Sequence, residues 1–259
     1  MARDVKKASP RVNWRLAGGI FALAAACVSS AWAGLKVRQY ALTDQQFKFS
    51  RSTPDVLALE GLKYTSKYKV RRVFAGDYDQ SIFAIGLAER RRRLLAIDWV
   101  EEASVSRIWP DRLVVRIRER HPVAFVFFRS GVFLIDAHGV LLEPPAQAQF
   151  TFPVLSGIRE SETEAQRGER VRAFQRVLQE MGPLAKDVSE VDVTDPDNIR
   201  IVAQVEKTAI ELIMGDSNFA ARYQNFLTHF PEIRKRFPEA RVFDLRLGDR
   251  ITAKSKDQG

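Results

Sequence analysis

Leu16–Leu35 reads LAGGIFALAAACVSSAWAGL, a run of twenty residues without a charge. At about 1.5 Å per helical residue it spans ~30 Å, the thickness of a bilayer's hydrocarbon core. Trp14 and Trp32 stand near its ends, where indole rings favour the headgroup region. Arg3, Lys6, Lys7, Arg11 and Arg15 precede it against a single Asp4. The positive-inside rule therefore keeps residues 1–15 cytoplasmic and sends the remainder across. Ala31-Trp32-Ala33 also fits a signal-peptide cleavage site, so from the residues a retained anchor and a cleaved leader both stay open. In either case residues 36–259 work outside the cytoplasm.

The formal net charge is +9, much of it in that short tail, so a basic balance here says little about nucleic acid. One Cys and three His exclude a zinc cluster of the Cys/His type, and Cys27, inside the apolar run, has no partner for an internal disulfide. The remaining length is enough for two modest domains.

Residues 36–52, polar with scattered aromatics, read as a linker. A strand is expected at Val56–Leu59, ending at Gly61, then helices near Ser66–Phe74 and Phe83–Ile97. The sharpest local signal follows. Ala103–Trp109 and Arg112–Arg118 flank Pro110-Asp111, and Leu113, Val115 and Ile117 alternate with Val114, Arg116 and Arg118. That is strand period two around a tight turn, a β-hairpin. Strand, helix, helix, strand, strand makes a compact α+β unit.

Beyond His121-Pro122 the chain is strand-rich: Ala124–Phe128, Val132–Asp136 and Val140–Leu142, then Val188–Val193, Ile199–Val205 and Ala209–Met214. Glu160–Glu169 reads as a charged loop. Val171, Phe174, Leu178 and Met181 give an amphipathic helix stopped by Gly182-Pro183. Asp216 or Ser217 should cap a helix carrying Phe219, Tyr223, Phe226, Leu227 and Phe230, interrupted at Pro231. Arg241–Leu247 is the next strand, turned at Gly248-Asp249 into Arg250–Ala253. With little chain left to cover it, Val242–Leu247 would make a natural sheet edge, able to accept a partner strand, while internal pairing that closes the sheet stays equally open from the residues.

Catalytic signals are thin. Ser66 and Lys69 have the S-x-x-K spacing of a nucleophile–base pair, as in an anchored or secreted cell-wall enzyme, but no S-D-N or K-T-G follows. His121, His138 and His229 stand apart, and Glu101-Glu102 and Glu160/Glu162/Glu164 read as solvated charge. Arg90–Arg93 spreads around a helix instead of forming one stripe, so a solvated surface is expected and nucleic acid is not. No strand-rich stretch suits a transmembrane barrel.

Trp99-Val100-Glu101-Glu102-Ala103-Ser104-Val105-Ser106-Arg107-Ile108-Trp109-Pro110, followed by Glu119-Arg120-His121-Pro122-Val123-Ala124, resembles the FtsQ/DivIB family of bacterial cell-division proteins. Leu134-Ile135-Asp136 with Gly139, Phe152–Gly157 and Asp244-Leu245-Arg246 are similar to marks of its second domain. The resemblance implies an α+β fold laid out as cytoplasmic tail 1–15, transmembrane helix 16–35, linker 36–52, POTRA domain 53–122, β domain 123–253 and tail 254–259. It implies a non-enzymatic, single-pass inner-membrane scaffold at the division septum, without cofactors and with its helix retained. FtsB/FtsL-type partners would bind through the last strands, at Phe243, Asp244, Leu245, Arg246 and Leu247. Other septal proteins would use the POTRA domain.

Overall fold

The computed structural model describes residues 14–146, 148–248 and 250–254, with the side chains of 14–18, 20 and 254 set aside. The expected cytoplasmic tail lies almost entirely outside the described residues, as does the C-terminal tail beyond Lys254. Helix α1 runs Trp14–Thr43. Phe21, Leu23, Val28, Trp32 and Leu35 are all exposed on it. Among the described residues no helix is long and apolar enough to cross a membrane, and the side chains that open the expected span are not among them.

The chain forms two compact units. The first comprises residues up to Glu60, Lys67–Leu94 and Ala103–Arg116; the second comprises Gly61–Ser66, Leu95–Glu102 and Ile117 onward. A three-stranded sheet is built from β1 (Leu57–Glu60), β2 (Val100–Ile108) and β3 (Arg112–Glu119) in the order β1-β3-β2. β1 runs parallel to β3, Leu57 opposite Leu113 and Glu60 opposite Arg116. Helices α2 (Lys67–Val73) and α3 (Leu87–Leu95) complete the strand–helix–helix–strand–strand order. The hairpin turns at a cis Trp109–Pro110 bond.

Three expectations change in the first unit. Residues 36–43 continue α1, and the rest of the expected linker is built into the unit. Phe47 and Phe49 are buried, the Phe49 amide donates to the Gln80 carbonyl (2.8 Å), and the Ile82 amide to Phe47's (2.8 Å). Two phenylalanines two residues apart supply apolar surface that water disfavours, which outweighs the polarity around them. The second helix starts at Leu87, not Phe83, because residues 81–86 form a bridge to Lys48 and a turn. Arg107 fixes that turn by donating to the Ile82 (2.7 Å) and Ile85 (2.8 Å) carbonyls. Finally, Arg90 is not solvated: it clamps the buried carboxylate of Asp77 through two nitrogens, one at 2.6 Å.

The second unit holds a nine-stranded mixed sheet. Its strands are β4 (Pro122–Phe128), β5 (Gly131–Asp136), β6 (Leu141–Leu142), β7 (Val154–Ser156), β8 (Val188–Asp192), β9 (Ile199–Val205), β10 (Thr208–Gly215), β11 (Val242–Asp244) and β12 (Thr252–Lys254). They lie in the order β12-β11-β10-β9-β8-β7-β4-β5-β6. β7 and β8 are parallel, as are β10 and β11, and parallel neighbours need a crossover. Helix α4 (Glu164–Met181) carries the first and α5 (Phe219–Arg236) the second. Val171, Phe174 and Val177 of α4 join Phe219, Tyr223, Phe226 and Phe230 of α5 in one core with the sheet's inner face.

α4 begins at Glu164, inside the expected charged loop. Thr163 caps it, accepting from the Gln166 amide while the Gln166 side chain accepts from the Thr163 amide, so its polar first turns are solvated helix. α5 runs unbroken through Pro231. Burial of Phe230 with Ile233 packed beside the core offsets the hydrogen bond that proline omits. Its cap is Asn218, in a left-handed conformation, instead of Asp216 or Ser217; the Glu180 carboxylate accepts from the Phe219 amide (2.8 Å). β7 falls in a segment read only as a family mark.

Candidate functional site

The C-terminal border of the nine-stranded sheet is where a partner strand was expected. β11 is not that border. It lies between β10, with Leu212 opposite Phe243, and β12, with Phe243 opposite Ala253. The Glu211 amide donates to the Arg241 carbonyl (2.8 Å) and the Leu245 amide to the Ile213 carbonyl (2.9 Å), extending the β10 pairing on both sides. Among the described residues β12 has no strand on its other side. The open edge is therefore Thr252–Lys254, one strand beyond the expected Val242–Leu247. A three-residue strand still serves, because the turn at Gly248 folds the chain back antiparallel onto β11.

The five expected contact residues separate by strand alternation. Phe243 is 1% exposed, its ring 5.3 Å from that of Phe226, and Leu245 is 3% exposed, so both are core. Asp244 accepts from Arg246 through Nη2 (2.6 Å), Nε (2.9 Å) and the Arg246 amide (3.2 Å). That carboxylate raises the Arg246 guanidinium above its ordinary value. Leu247 is 54% exposed. The structure thus leaves the side chains of Arg246 and Leu247 on the surface and buries those of Phe243 and Leu245.

Sequence reasoning missed Phe237, 53% exposed just after α5. It lines a cleft of about 840 Å³ with Arg241, Val242 and Ala253, and a second of about 330 Å³ with His229, Arg250 and Ile251. A large aromatic left wet between a basic helix end and Pro238 was the available signal.

The other candidate residues carry no site. Ser66 and Lys69 are exposed where α2 begins. Among the described residues no group of His, Cys, Asp or Glu could hold a metal ion. His138 is exposed, and His229 Nδ1 lies 2.9 Å from its own helix's Asn225 carbonyl. Glu101 pairs with Arg118 (3.2 Å), as does Glu102.

The family-like segments turn out to bind one another. Arg120 donates to the buried Asp136 (2.8 Å), whose other oxygen accepts from the His138 (2.9 Å) and Val140 (2.8 Å) amides. Glu119 accepts from the amides of Lys63 (2.9 Å), Tyr64 and Thr65. Trp99 donates to the Glu143 carbonyl (2.9 Å) and packs on Tyr64 and Phe150 beside Leu134 and Leu142.

Residues 56–120 match the family model of the FtsQ-type POTRA domain, and residues 124–246 that of the C-terminal domain of cell division protein FtsQ/DivIB. The chain is 36% identical over 225 residues to the cell division protein FtsQ of Koribacter versatilis, covering 85% of this chain and 64% of that one. It is 29% identical over 210 residues to the FtsQ of Novosphingobium aromaticivorans, covering 81% and 62%. Against the FtsQ of Shewanella oneidensis it is 27% identical over 239 residues, covering 91% and 85%. The chain thus spans a little under two thirds of the first two relatives.

Proposed function

Because the chain belongs to the FtsQ/DivIB family of cell-division proteins, we propose that it is a non-enzymatic, single-pass scaffold of the bacterial division septum. In this reading residues 1–15 are cytoplasmic and 16–35 cross the inner membrane. The POTRA unit and the β unit then work on the far side. The β unit holds a coiled-coil partner of the FtsB/FtsL type by adding a partner strand to β12, with Phe237, Arg246 and Leu247 as the neighbouring side-chain contacts. Other septal proteins meet the POTRA unit.

The observation that carries the reading is the outer side of β12, which no described strand covers. A bare strand edge offers main-chain hydrogen bonds to any extended segment of matching length. The two clefts beside it, which share the exposed ring of Phe237, would take that segment's side chains. The exposed apolar residues of α1 support the anchor, since such a helix is at ease only in lipid or against protein.

The test replaces the native copy in cells with a chain ending at Arg246, tagged for imaging. Filamentous cells in which this chain still marks midcell, but the FtsB/FtsL-type partner does not, are expected. Normal division with partner recruited would overturn the strand-addition reading.

A further inference from the structure

The first unit carries a cleft of about 500 Å³ between strand β1 and helix α2. Arg51, Arg71 and Arg72 line it with a single carboxylate, Asp55. Among the described residues Arg71 and Arg72 have no acidic partner, although the neighbouring Arg90, Arg92, Arg93 and Arg116 are all paired. Arg51 sits 4.5 Å over the ring of Tyr78, which stacks at 4.8 Å on the buried Phe49. That guanidinium is therefore held at the cleft by a ring fixed in the core, not left to sweep through solvent. Tyr68 lines the same wall at 72% exposure. The sequence of α2 itself, Lys-Tyr-Lys-Val-Arg-Arg-Val, contains no acid.

Across from α2 lie Thr53, Asp55 and Val56, the turn that leads into β1, and Leu57, its first residue. Among the described residues β1 is the border of its sheet, with β3 on one side only. Val56 gives its carbonyl to the Leu113 amide (2.8 Å). Since successive residues of a strand aim their amides and carbonyls to alternate sides, Leu57 and Leu59 turn theirs away from β3, along an outer edge that starts at the cleft with Leu57. The outer edge of β1 thus begins at a cleft that carries Arg71 and Arg72, the ring-held Arg51 and the wet ring of Tyr68.

We infer that the β1–α2 cleft is a second docking site, which takes an extended acidic segment of a protein partner, added as a strand to β1 with its carboxylates toward Arg51, Arg71 and Arg72. This deepens the scaffold reading, on which it rests for the presence of partners, and is independent of the β12 edge. Charge decides the partner's sign: three guanidinium groups against one carboxylate reject a basic peptide and favour an acidic one. The strand edge decides its class. A headgroup or free phosphate has no use for main-chain donors spaced along a strand, whereas an extended peptide matches them.

The experiment uses the full chain in nanodiscs of zwitterionic lipid. The probe is a short labelled peptide of alternating glutamate and valine, followed by fluorescence anisotropy. Binding is expected, weakening as salt rises. The R71E/R72E variant should lose roughly tenfold, as two exposed ion pairs become repulsive. Methylating alternate peptide nitrogens in one register should abolish binding, and a lysine–valine peptide should not bind. Both arginines are exposed, so the variant's circular dichroism and melting should match the parent's. Capture of an FtsB/FtsL-type partner should be unchanged in it, which separates failure of this site from failure of the β12 reading. Equal binding of the lysine peptide, indifference to R71E/R72E, or binding untouched by methylation would overturn the proposal. So would a loss in R71E/R72E of binding to phosphatidylglycerol vesicles alone, without any peptide binding.

Discussion

Asp136 shows how a single side chain can hold a unit together. It is 2% exposed and satisfies three donors, one of them the guanidinium of Arg120. A buried charge loses water on folding, and only its partners make up that loss. Replacing Asp136 with alanine leaves Arg120 mostly buried without a counter-charge and frees two amides at the β5–β6 turn. The expected cost is ~3–5 kcal/mol, seen as a lower midpoint in urea unfolding of the full chain. Arg92→Ala, which breaks only an exposed pair with Glu89, should cost under ~1 kcal/mol in the same assay. The adjacent Gly139 answers a different need. Its φ is +89°, and a Cβ there would stand 2.5 Å from backbone atoms of Glu164 and Gly168, so the turn meets the start of α4 only because no side chain intervenes.

Between elements, Glu119 ties the end of β3 to the segment that leads from β1 into α2. Burial pushes its carboxyl upward, but the hydrogen bonds from Thr65, Tyr64 and Lys63 outweigh that, and the group lies below its ordinary value of 4.5. A carboxyl whose folded value is depressed contributes stability that is fully present above its unfolded value and lost as pH falls through the folded one. Thermal unfolding between neutral pH and the region below 4.5 should therefore show a steeper loss in the parent than in Glu119→Gln. An identical slope in the two would assign the acid sensitivity elsewhere.

At this scale the sequence was readable wherever one face of an element is dry and the other wet. β9 alternates along its length and β3 and β10 do so in part, and α5 carries its aromatic stripe, so all four were placed. β7 was not, because three residues between Pro153 and Gly157 show no period. The first turns of α4 were also missed: they point to water, and only the Thr163/Gln166 cap pair marked them. Phe47 and Phe49 gave too brief a signal to reveal that residues 44–49 belong to a folded unit.

For the whole molecule, the C-terminal border of the sheet was legible in place but not in register. The residues quoted for the family resemblance proved to be internal ties: Arg107 on its turn, Arg120 on Asp136, Trp99 on Glu143. They specify the fold that presents the edges, not the edges themselves. Phe243 and Leu245 were expected as contacts from the family resemblance alone, and the resemblance does not say which face of the strand is dry. The border, Thr252–Lys254, is short: the turn signal at Gly248-Asp249 marked the return of the chain, but nothing in the segment marks it as the edge. Both proposed docking places are strand edges, β12 on one unit and β1 on the other. A protein that works by lending backbone needs no unusual side chain there, which is why such sites leave a faint trace in sequence.

The most direct measurement of the scaffold claim is amide hydrogen exchange of the full chain, alone and with an FtsB/FtsL-type coiled-coil partner. Residues 250–254 should exchange quickly in the free chain and become protected in the complex, while Val242–Asp244, already paired on both sides, should change little. Binding that leaves 250–254 as fast as before would contradict strand addition at β12.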